Sequence, residues 1–160
     1  MDFYEPENQA LQNLNDQYFW GEHLLIAPVL NQGQTQRDVI LPEGKWLNYF
    51  DLTEYSGPGT FTMSSPLEDI PVLLKAGSFI PTARNLSNTD NYSADTLYIQ
   101  YFPDADQNES QYTFFDDDKQ SPNSLDNNEY CLIHLNGLYT EEEIRIDLAT
   151  NDQSYSEMPV

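Results

Sequence analysis

The period of the apolar and polar positions changes along the chain. Residues 24–30 form a short uninterrupted apolar run, LLIAPVL. Such a run is typical of a strand that is buried on both faces, as in a parallel sheet. Because Pro28 has no N–H group to donate, we expect this strand to end near Ala27.

After residue 31 the pattern becomes one of short alternating strands. Turn signals recur roughly every 8 to 12 residues, which favours an antiparallel sandwich. A turn is predicted at Pro42-Glu43-Gly44, between two of these strands. The strands are predicted at residues 37–41, 45–50, 60–64, 69–74 and 78–80.

A polar stretch then separates this region from a second group of strands. Residues 84–95 are rich in Asn and Ser and have no period, so they are predicted to be a linker. Two of the later strands, at 96–102 and 111–115, are expected to form a hairpin. The others are predicted at 129–135 and 143–148, and the second sheet is expected to lack its final strands. The fold class is therefore mostly β, with two small antiparallel β-sandwich-type modules.

Composition and charge restrict the possible binding partners of the chain more than they restrict its fold. Aromatic residues make up 13% of the chain, which is enough for a packed core. The 27 Asp and Glu against 6 Lys and Arg give a net charge of −21, which repels phosphate backbones and anionic lipids. No apolar run approaches the roughly 20 residues of a membrane span. Neither nucleic acid nor a membrane is expected as a partner.

The single cysteine and the N-terminus leave the compartment open. Cys131 cannot form an internal disulfide, and its apolar neighbours predict a buried, inert thiol. Residues 1–10 carry acids where a secretory signal would carry bases, so any signal peptide would lie upstream if the parent protein is exported to the periplasm or the extracellular space.

Three segments resemble the C-terminal region of family 31 glycoside hydrolases, the α-glucosidase type. Residues 16–30, DQYFWGEHLLIAPVL, resemble the segment that ends the catalytic barrel. The strand, turn and Trp that follow the barrel are matched by residues 37–46, RDVILPEGKW. A second signature is matched by residues 66–81, PLEDIPVLLKAGSFIP. Three segments in the right order are more specific than any one of them.

The second half of the chain is similar to the distal domain of the same family. Residues 97–106 and the run Phe114-Phe115-Asp116-Asp117-Asp118 follow its pattern. The resemblance implies four parts: a remnant of the barrel's last strand at 1–30, a proximal β domain at 31–83, the linker at 84–95, and a distal β domain at 96–160 that is expected to be truncated.

The resemblance also implies that this chain lacks the catalytic residues of the family. The family uses two barrel aspartates, one as nucleophile and one as acid/base. The motif around the nucleophile is missing here, so no residue of this chain is expected to be catalytic, to bind a cofactor or to ligate a metal.

The individual residues that invite a functional interpretation all have a simpler one. His23 and His134 are expected to be a solvated or capping histidine and a mid-strand histidine, respectively. Asp104-x-Asp106-x-Asn108 copies the opening of a calcium loop, but Glu109 and Phe115 stand where Gly and a bidentate Glu are required. A polar hairpin tip is the better interpretation. For Asp116-Asp117-Asp118 a solvated turn is expected, with an adventitious metal second.

Four aromatic residues admit two interpretations. They are expected to fill the first module's core, with stacking on sugar rings as the alternative. The four are Trp46, Tyr49, Phe50 and Tyr55.

The function expected is that of a non-catalytic fragment that supports the barrel of a retaining α-glucosidase-type enzyme. Its partner would be the missing barrel of the same polypeptide, with carbohydrate bound only through the parent enzyme. The alternative is a free-standing carbohydrate-binding β-sandwich. A homodimer of the fragment is also expected, through the run at residues 24–29 if that run is left unpaired. The competing outcome is that the run folds back and completes the first sheet.

Overall fold

The computed structural model describes residues 7–9, 11–12, 14–84, 87–88, 96–117 and 120–150. The chain is mostly β and its strands pair antiparallel throughout this part. The elements are β1 (Tyr18–Trp20), β2 (Leu24–Ile26), β3 (Gln36–Asn48), β4 (Glu54–Ser64), β5 (Val72–Lys75), β6 (Ser78–Thr82), β7 (Tyr98–Phe102), β8 (Glu109–Asp117), α1 (Ser124–Asn127), β9 (Tyr130–Tyr139) and β10 (Ile144–Thr150).

Two compact units divide the chain, Met1–Ala76 and Gly77–Val160. The division differs from the four parts that the sequence suggested. Strands β1 and β2, which were assigned to a barrel remnant at 1–30, belong to the same sheet as β3, β4 and β5. Strand β6, which was assigned to the proximal domain, pairs with β7 in the second unit. Most of the predicted linker at 84–95 lies outside the described residues.

The first unit is built on a five-stranded sheet in the order β1-β2-β5-β3-β4. The apolar run of β2 is paired on both sides, with Leu24 opposite Trp20 on β1 and opposite Leu74 on β5. The strand ends at Ile26, close to the predicted end at Ala27. The prediction of a parallel-type strand was wrong, because both neighbours run antiparallel. The unpaired edge that was expected to drive a homodimer is therefore absent at β2.

The predicted turn at Pro42-Glu43-Gly44 was also wrong, since these residues lie inside the continuous strand β3. The ladder between β3 and β4 shifts register between Leu41 and Gly44, which marks a β-bulge. Opposite the bulge is Gly57, where an added Cβ would collide with the carbonyl oxygen of Pro42. The chain can follow this path only because residue 57 has no side chain.

The core of the first unit lies on one face of this sheet. Its members are apolar residues with almost no exposed surface, and three aromatic side chains pack at its margin: Phe19, Tyr55 and Phe61. The fully enclosed set is Leu25, Ala27, Val39, Leu41, Trp46, Met63 and Leu73. Inward residues of β3 alternate with exposed ones such as Asp38, which is the pattern of a strand that is solvated on one face.

The second unit contains a two-stranded sheet, β6-β7, and a three-stranded sheet, β10-β9-β8. The hairpin predicted between 96–102 and 111–115 is absent, because β7 pairs with β6 while β8 pairs with β9. The rings of Phe79 and Tyr101 stack at a centroid distance of 4.3 Å. A Cβ on Gly137 would lie 2.6 Å from Cζ of Tyr101, so this glycine lets the stacked rings approach β9.

Candidate functional site

A buried polar cluster of the first unit surrounds Arg37, on β3. Its Nη1 donates to the carbonyl oxygens of Asp16 and Pro28, and its Nε and Nη2 donate to the carbonyl oxygen of Asp38. Its Nη2 also forms an ion pair with Asp16 Oδ2 at 3.0 Å. A guanidinium has five N–H donors, and these contacts use all of them. Arg37 therefore holds the backbone on either side of β1 and β2 and has no donor left for a substrate.

Gln17 makes a second attachment beside it. Its Nε2 donates to the carbonyl oxygen of Ile40 at 2.7 Å, and its Oε1 accepts the Ile40 N–H at 3.0 Å. Strand β5 pairs with β3 only at Trp46, Leu47 and Asn48, so it does not reach Ile40. The buried amide of Gln17 thus replaces a strand partner at that position.

Sequence reasoning did not identify the cluster of Arg37, Asp16 and Gln17. A signal was present, because Arg37 is one of only 6 basic residues and precedes the apolar run of β3. A basic side chain at such a position has to find carbonyl or carboxylate partners to be buried. Asp16 and Gln17 open the motif by which the family resemblance was identified, and here they act in the attachment of strands.

The two histidines occupy ladder positions. His23 directly precedes β2, and its carbonyl oxygen accepts the N–H of Lys75 on the neighbouring strand. Burial lowers the pKa of His23, an effect that Lys75 adds to and Glu22 opposes, so its ring is held in the neutral form. His134 lies mid-strand on β9, as predicted, and its Nδ1 lies 3.0 Å from the hydroxyl of Thr113 on β8. The backbone of His23 thus bonds to the neighbouring strand, and the side chain of His134 contacts the adjacent strand of its own sheet.

The acidic candidates have structural partners. Asp104 is buried and accepts the N–H of Asp106 at 3.0 Å, which is an Asx-turn in the connection between β7 and β8. The polar hairpin tip predicted here is absent, since those strands belong to different sheets. Among the residues that the structure describes, no group of three or more His, Cys, Asp or Glu is placed to hold a metal ion.

The run Asp116-Asp117-Asp118 was predicted to be a solvated turn, and that prediction was wrong. Asp116 and Asp117 are the last residues of β8, and Asp116 is buried. Asp117 Oδ2 accepts the hydroxyl of Ser124 at 2.7 Å, which attaches α1 to the strand. Asp118 lies outside the described residues.

The four aromatic candidates separate by burial. Trp46 is fully buried, as predicted, and its Nε1 donates to the Pro42 carbonyl oxygen at 3.1 Å. Tyr49 and Tyr55 are half-buried. The prediction that Phe50 fills the core was wrong, because it lies in the turn after β3 and is 64% exposed. Cys131 is half-buried on β9 rather than buried.

Two exposed aromatic residues were not singled out from the sequence. Tyr18 and Trp20 lie two positions apart on the edge strand β1, and Trp20 is 69% exposed. Alternate residues of a strand share a face, so these two rings lie on the face opposite Phe19. Phe19 packs toward the core, with its ring centroid 5.9 Å from that of Trp46.

A shallow depression with charged walls lies on the polar face of the three-stranded sheet of the second unit. Arg145 and Asp147 of β10 form one wall, where Arg145 Nη2 lies 2.8 Å from Asp147 Oδ2. Hydrogen bonding from Arg145 lowers the pKa of Asp147, so the pair is charged.

In the described part of the chain, no helix has the length and apolarity to cross a bilayer.

Comparisons with known proteins relate both units to one family. A sequence model described as the C-terminal domain of glycosyl hydrolase family 31 matches residues 1–80. A curated relative, 1,6-alpha-glucosyltransferase of Sporosarcina globispora, is 34% identical over 121 residues, which is 74% of this chain and 9% of the relative.

Solved structures extend the similarity to most of the chain. A family 31 dextranase of Flavobacterium johnsoniae superposes with a TM-score of 0.77 at 32% identity, over 88% of this chain and 17% of the dextranase. A family 31 alpha-xylosidase of Xanthomonas citri gives a TM-score of 0.79 at 28% identity, over 91% of this chain and 16% of the xylosidase. The chain thus spans less than a fifth of the length of each of these relatives.

Proposed function

Since this chain belongs to glycosyl hydrolase family 31 and matches its C-terminal domain, we propose that it is the non-catalytic C-terminal part of an α-glucosidase-type enzyme. The parent would hydrolyse terminal α-glucosidic bonds with retention of configuration. The observation that carries the proposal is the match over residues 1–80, which includes the complete five-stranded sheet and the first three residues of β6. Two buried polar residues of this region, Arg37 and Gln17, direct hydrogen bonds to the chain's own backbone.

The partner in this proposal is the catalytic barrel of the same polypeptide. Large apolar side chains of the first unit are exposed in a way that suits contact with another domain. Tyr18 and Trp20 are exposed on β1, and Leu67 is 98% exposed. The chain would buttress the barrel, and carbohydrate would be bound only through the parent enzyme.

The choice between hydrolysis and transfer depends on residues outside this chain. The relatives bear the names of a glucosyltransferase, a dextranase and an alpha-xylosidase. Subsite residues of family 31 lie in the barrel, so we propose α-glucoside hydrolysis for the parent on the family resemblance.

A chimera tests the proposed function. The C-terminal region of the Flavobacterium dextranase would be replaced by this chain, and we expect the chimera to retain dextranase activity while the chain alone releases no nitrophenol from a nitrophenyl α-glucoside. Trp20→Asp in the chimera should shorten the half-life of activity on heating, because it places a charge in the proposed contact with the barrel. Leu125→Asp, at an exposed position of α1 in the second unit, is the matched control and should leave the half-life unchanged.

The alternative function, a free-standing carbohydrate-binding module, is favoured by one observation, the exposed pair Tyr18 and Trp20. Calorimetric titration of the chain with isomaltotriose separates the two. Saturable heat that Trp20→Ala abolishes would support the binding module. Turnover by the chain alone would overturn the proposed non-catalytic role.

A further inference from the structure

Three connections of the first unit meet at one end of its five-stranded sheet. Ala27 N–H donates to the carbonyl oxygen of Pro71, and Tyr49 N–H donates to that of Val72, both at 2.9 Å. The end of β2, the end of β3 and the start of β5 therefore lie side by side. The β2–β3 connection leaves from this end, the β3–β4 turn lies on it, and the β4–β5 connection arrives at it.

The chain also enters the first unit at this end. Strand β1 begins at Tyr18, which is opposite Ile26 at the end of β2. Asp16, two positions before β1, is held beside the β2–β3 connection, because Arg37 Nη1 donates to the carbonyl oxygens of both Asp16 and Pro28. The polypeptide that precedes β1 therefore arrives next to these connections.

Large apolar side chains are exposed on all three connections. Among the described residues of the first unit, Tyr18 and Trp20 of β1 are exposed, and the other exposed large apolar residues lie on the connections. A concentration of exposed apolar surface marks an interaction site. We call these residues the apolar loop set: Leu30, Phe50, Leu52, Leu67 and Ile70.

The β3–β4 turn is held in a conformation that presents two members of this set. Asn48 Oδ1 accepts the Phe50 N–H, and Asp51 Oδ1 accepts the Thr53 N–H, both at 2.9 Å. Leu52 has a φ of 59°, in the left-handed region that Asn and Gly adopt more easily than Leu. A leucine in this conformation costs stability in the free chain, and such a cost is typical of a residue that serves a contact.

The charges around the apolar loop set are all negative. Asp51 lies in the β3–β4 turn, Glu68 and Asp69 lie in the β4–β5 connection, and all three are exposed. The three connections contain no Lys or Arg. A surface that complements this end is therefore apolar at its centre and basic at its rim.

We propose that the apolar loop set contacts the catalytic domain that precedes this region in the parent polypeptide, through an apolar surface rimmed by Lys and Arg. The inference rests on the proposed function and extends the contact from β1 and Leu67 to the β3–β4 turn. The chain matches a C-terminal domain and covers 9% of the glucosyltransferase and 17% of the dextranase. The preceding domain arrives at Asp16 and is thus tethered beside the loops, which raises its effective concentration there above that of a free partner.

The substitution Leu52→Asn separates contact with the barrel from folding of the chain. Asn adopts the left-handed conformation more readily than Leu, so the melting temperature of the variant chain alone should equal or exceed that of the wild type. In the chimera with the Flavobacterium dextranase, the same substitution removes an apolar contact and should shorten the half-life of activity on heating at least about fivefold. Leu125→Asn, at an exposed position of α1, is the matched control and should leave the half-life unchanged.

Hydrogen exchange of the backbone amides reads the contact directly. Peptides that cover residues 49–53 and 66–71 should exchange more slowly in the chimera than in the chain alone, because the barrel covers them. A peptide that covers residues 124–127 should exchange equally in both. Slower exchange in the first two peptides alone would support the proposed contact.

The inference is overturned if Leu52→Asn leaves the half-life of the chimera unchanged or longer, or if residues 49–53 exchange equally in the chimera and in the chain alone. It is also overturned if their exchange in the chain alone slows with rising protein concentration, which assigns the loops to a second copy, or on addition of isomaltotriose, which assigns them to a sugar. An active chimera with unprotected loops contradicts this inference and leaves the proposed function standing. An inactive chimera contradicts the proposed function, and the exchange of residues 49–53 in it still decides the contact.

Discussion

Trp46 and Phe50 show how four positions along one chain separate a core residue from a surface residue. Trp46 is an inward residue of β3 and satisfies its indole N–H at the Pro42 carbonyl oxygen, so the whole ring can be enclosed. Phe50 follows the end of β3, where the chain turns, and its ring contacts Tyr49 edge-on at 5.4 Å. Both residues look alike in the sequence, because an aromatic side chain does not reveal where its strand ends.

Removing the Trp46 side chain tests its role in the core. Trp46→Ala leaves a large cavity and should lower the free energy of unfolding by about 3–5 kcal/mol. The matched control, Trp20→Ala, removes the same side chain from a position that is 69% exposed and should change it by less than about 0.5 kcal/mol. Urea titration followed by circular dichroism measures both. A loss below about 1 kcal/mol at Trp46 would show that the core does not depend on this ring.

At the scale of elements, the sequence predicted the existence of most strands but not how they pair. The apolar run of β2 was identified, yet its neighbours depend on contacts with residues 72–74, about fifty positions away. The residues Pro42-Glu43-Gly44, which predicted a turn, do interrupt the regular strand, but they form a β-bulge. Gly57 of the opposite strand has no side chain and leaves space for this bulge. The predicted hairpin of β7 and β8 does not form, because β7 pairs with β6, which precedes it in the chain.

The functional residues were likewise only partly predictable from the sequence. That no residue of this chain is catalytic, binds a cofactor or ligates a metal stays a prediction of the sequence. The hydrogen bonds of Gln17 to Ile40 could not be foreseen, because they depend on β5 ending before it reaches that part of β3. Local pattern decides what a residue prefers, whereas tertiary pairing decides which backbone groups are left for it to satisfy.

The bulge in β3 gives a prediction at the scale of the element. Gly57→Ala would place a Cβ against the carbonyl oxygen of Pro42, a backbone atom that can move only with the bulge, and should lower the free energy of unfolding by about 3 kcal/mol. Gly59→Ala, on the same strand, meets the Phe61 ring at 3.0 Å, a side chain that can rotate. This control should lose less than about 1 kcal/mol. Equal losses in thermal or urea unfolding would refute the assigned role of Gly57.

At the scale of the molecule, the acidic surplus acts on both units. With 27 acidic and 6 basic residues, acidic side chains outnumber basic ones more than fourfold, so repulsion between carboxylates outweighs attraction to cations in the net charge of −21. Self-repulsion of this kind destabilises a compact state while it keeps molecules apart in solution. An attached barrel would have to accept such a surface.

Salt should therefore stabilise the folded chain. Raising NaCl from about 0.01 M to about 1 M shortens the screening distance from about 30 Å to about 3 Å, which removes repulsion summed over the whole surface. We expect the free energy of unfolding in urea to rise by more than about 1 kcal/mol, the upper value for one exposed ion pair. Sodium sulfate at equal ionic strength is the control, because screening depends on ionic strength whereas exclusion from the surface depends on the anion. A fall in stability with NaCl would mean that attractive pairs such as Arg145 with Asp147 outweigh the repulsion.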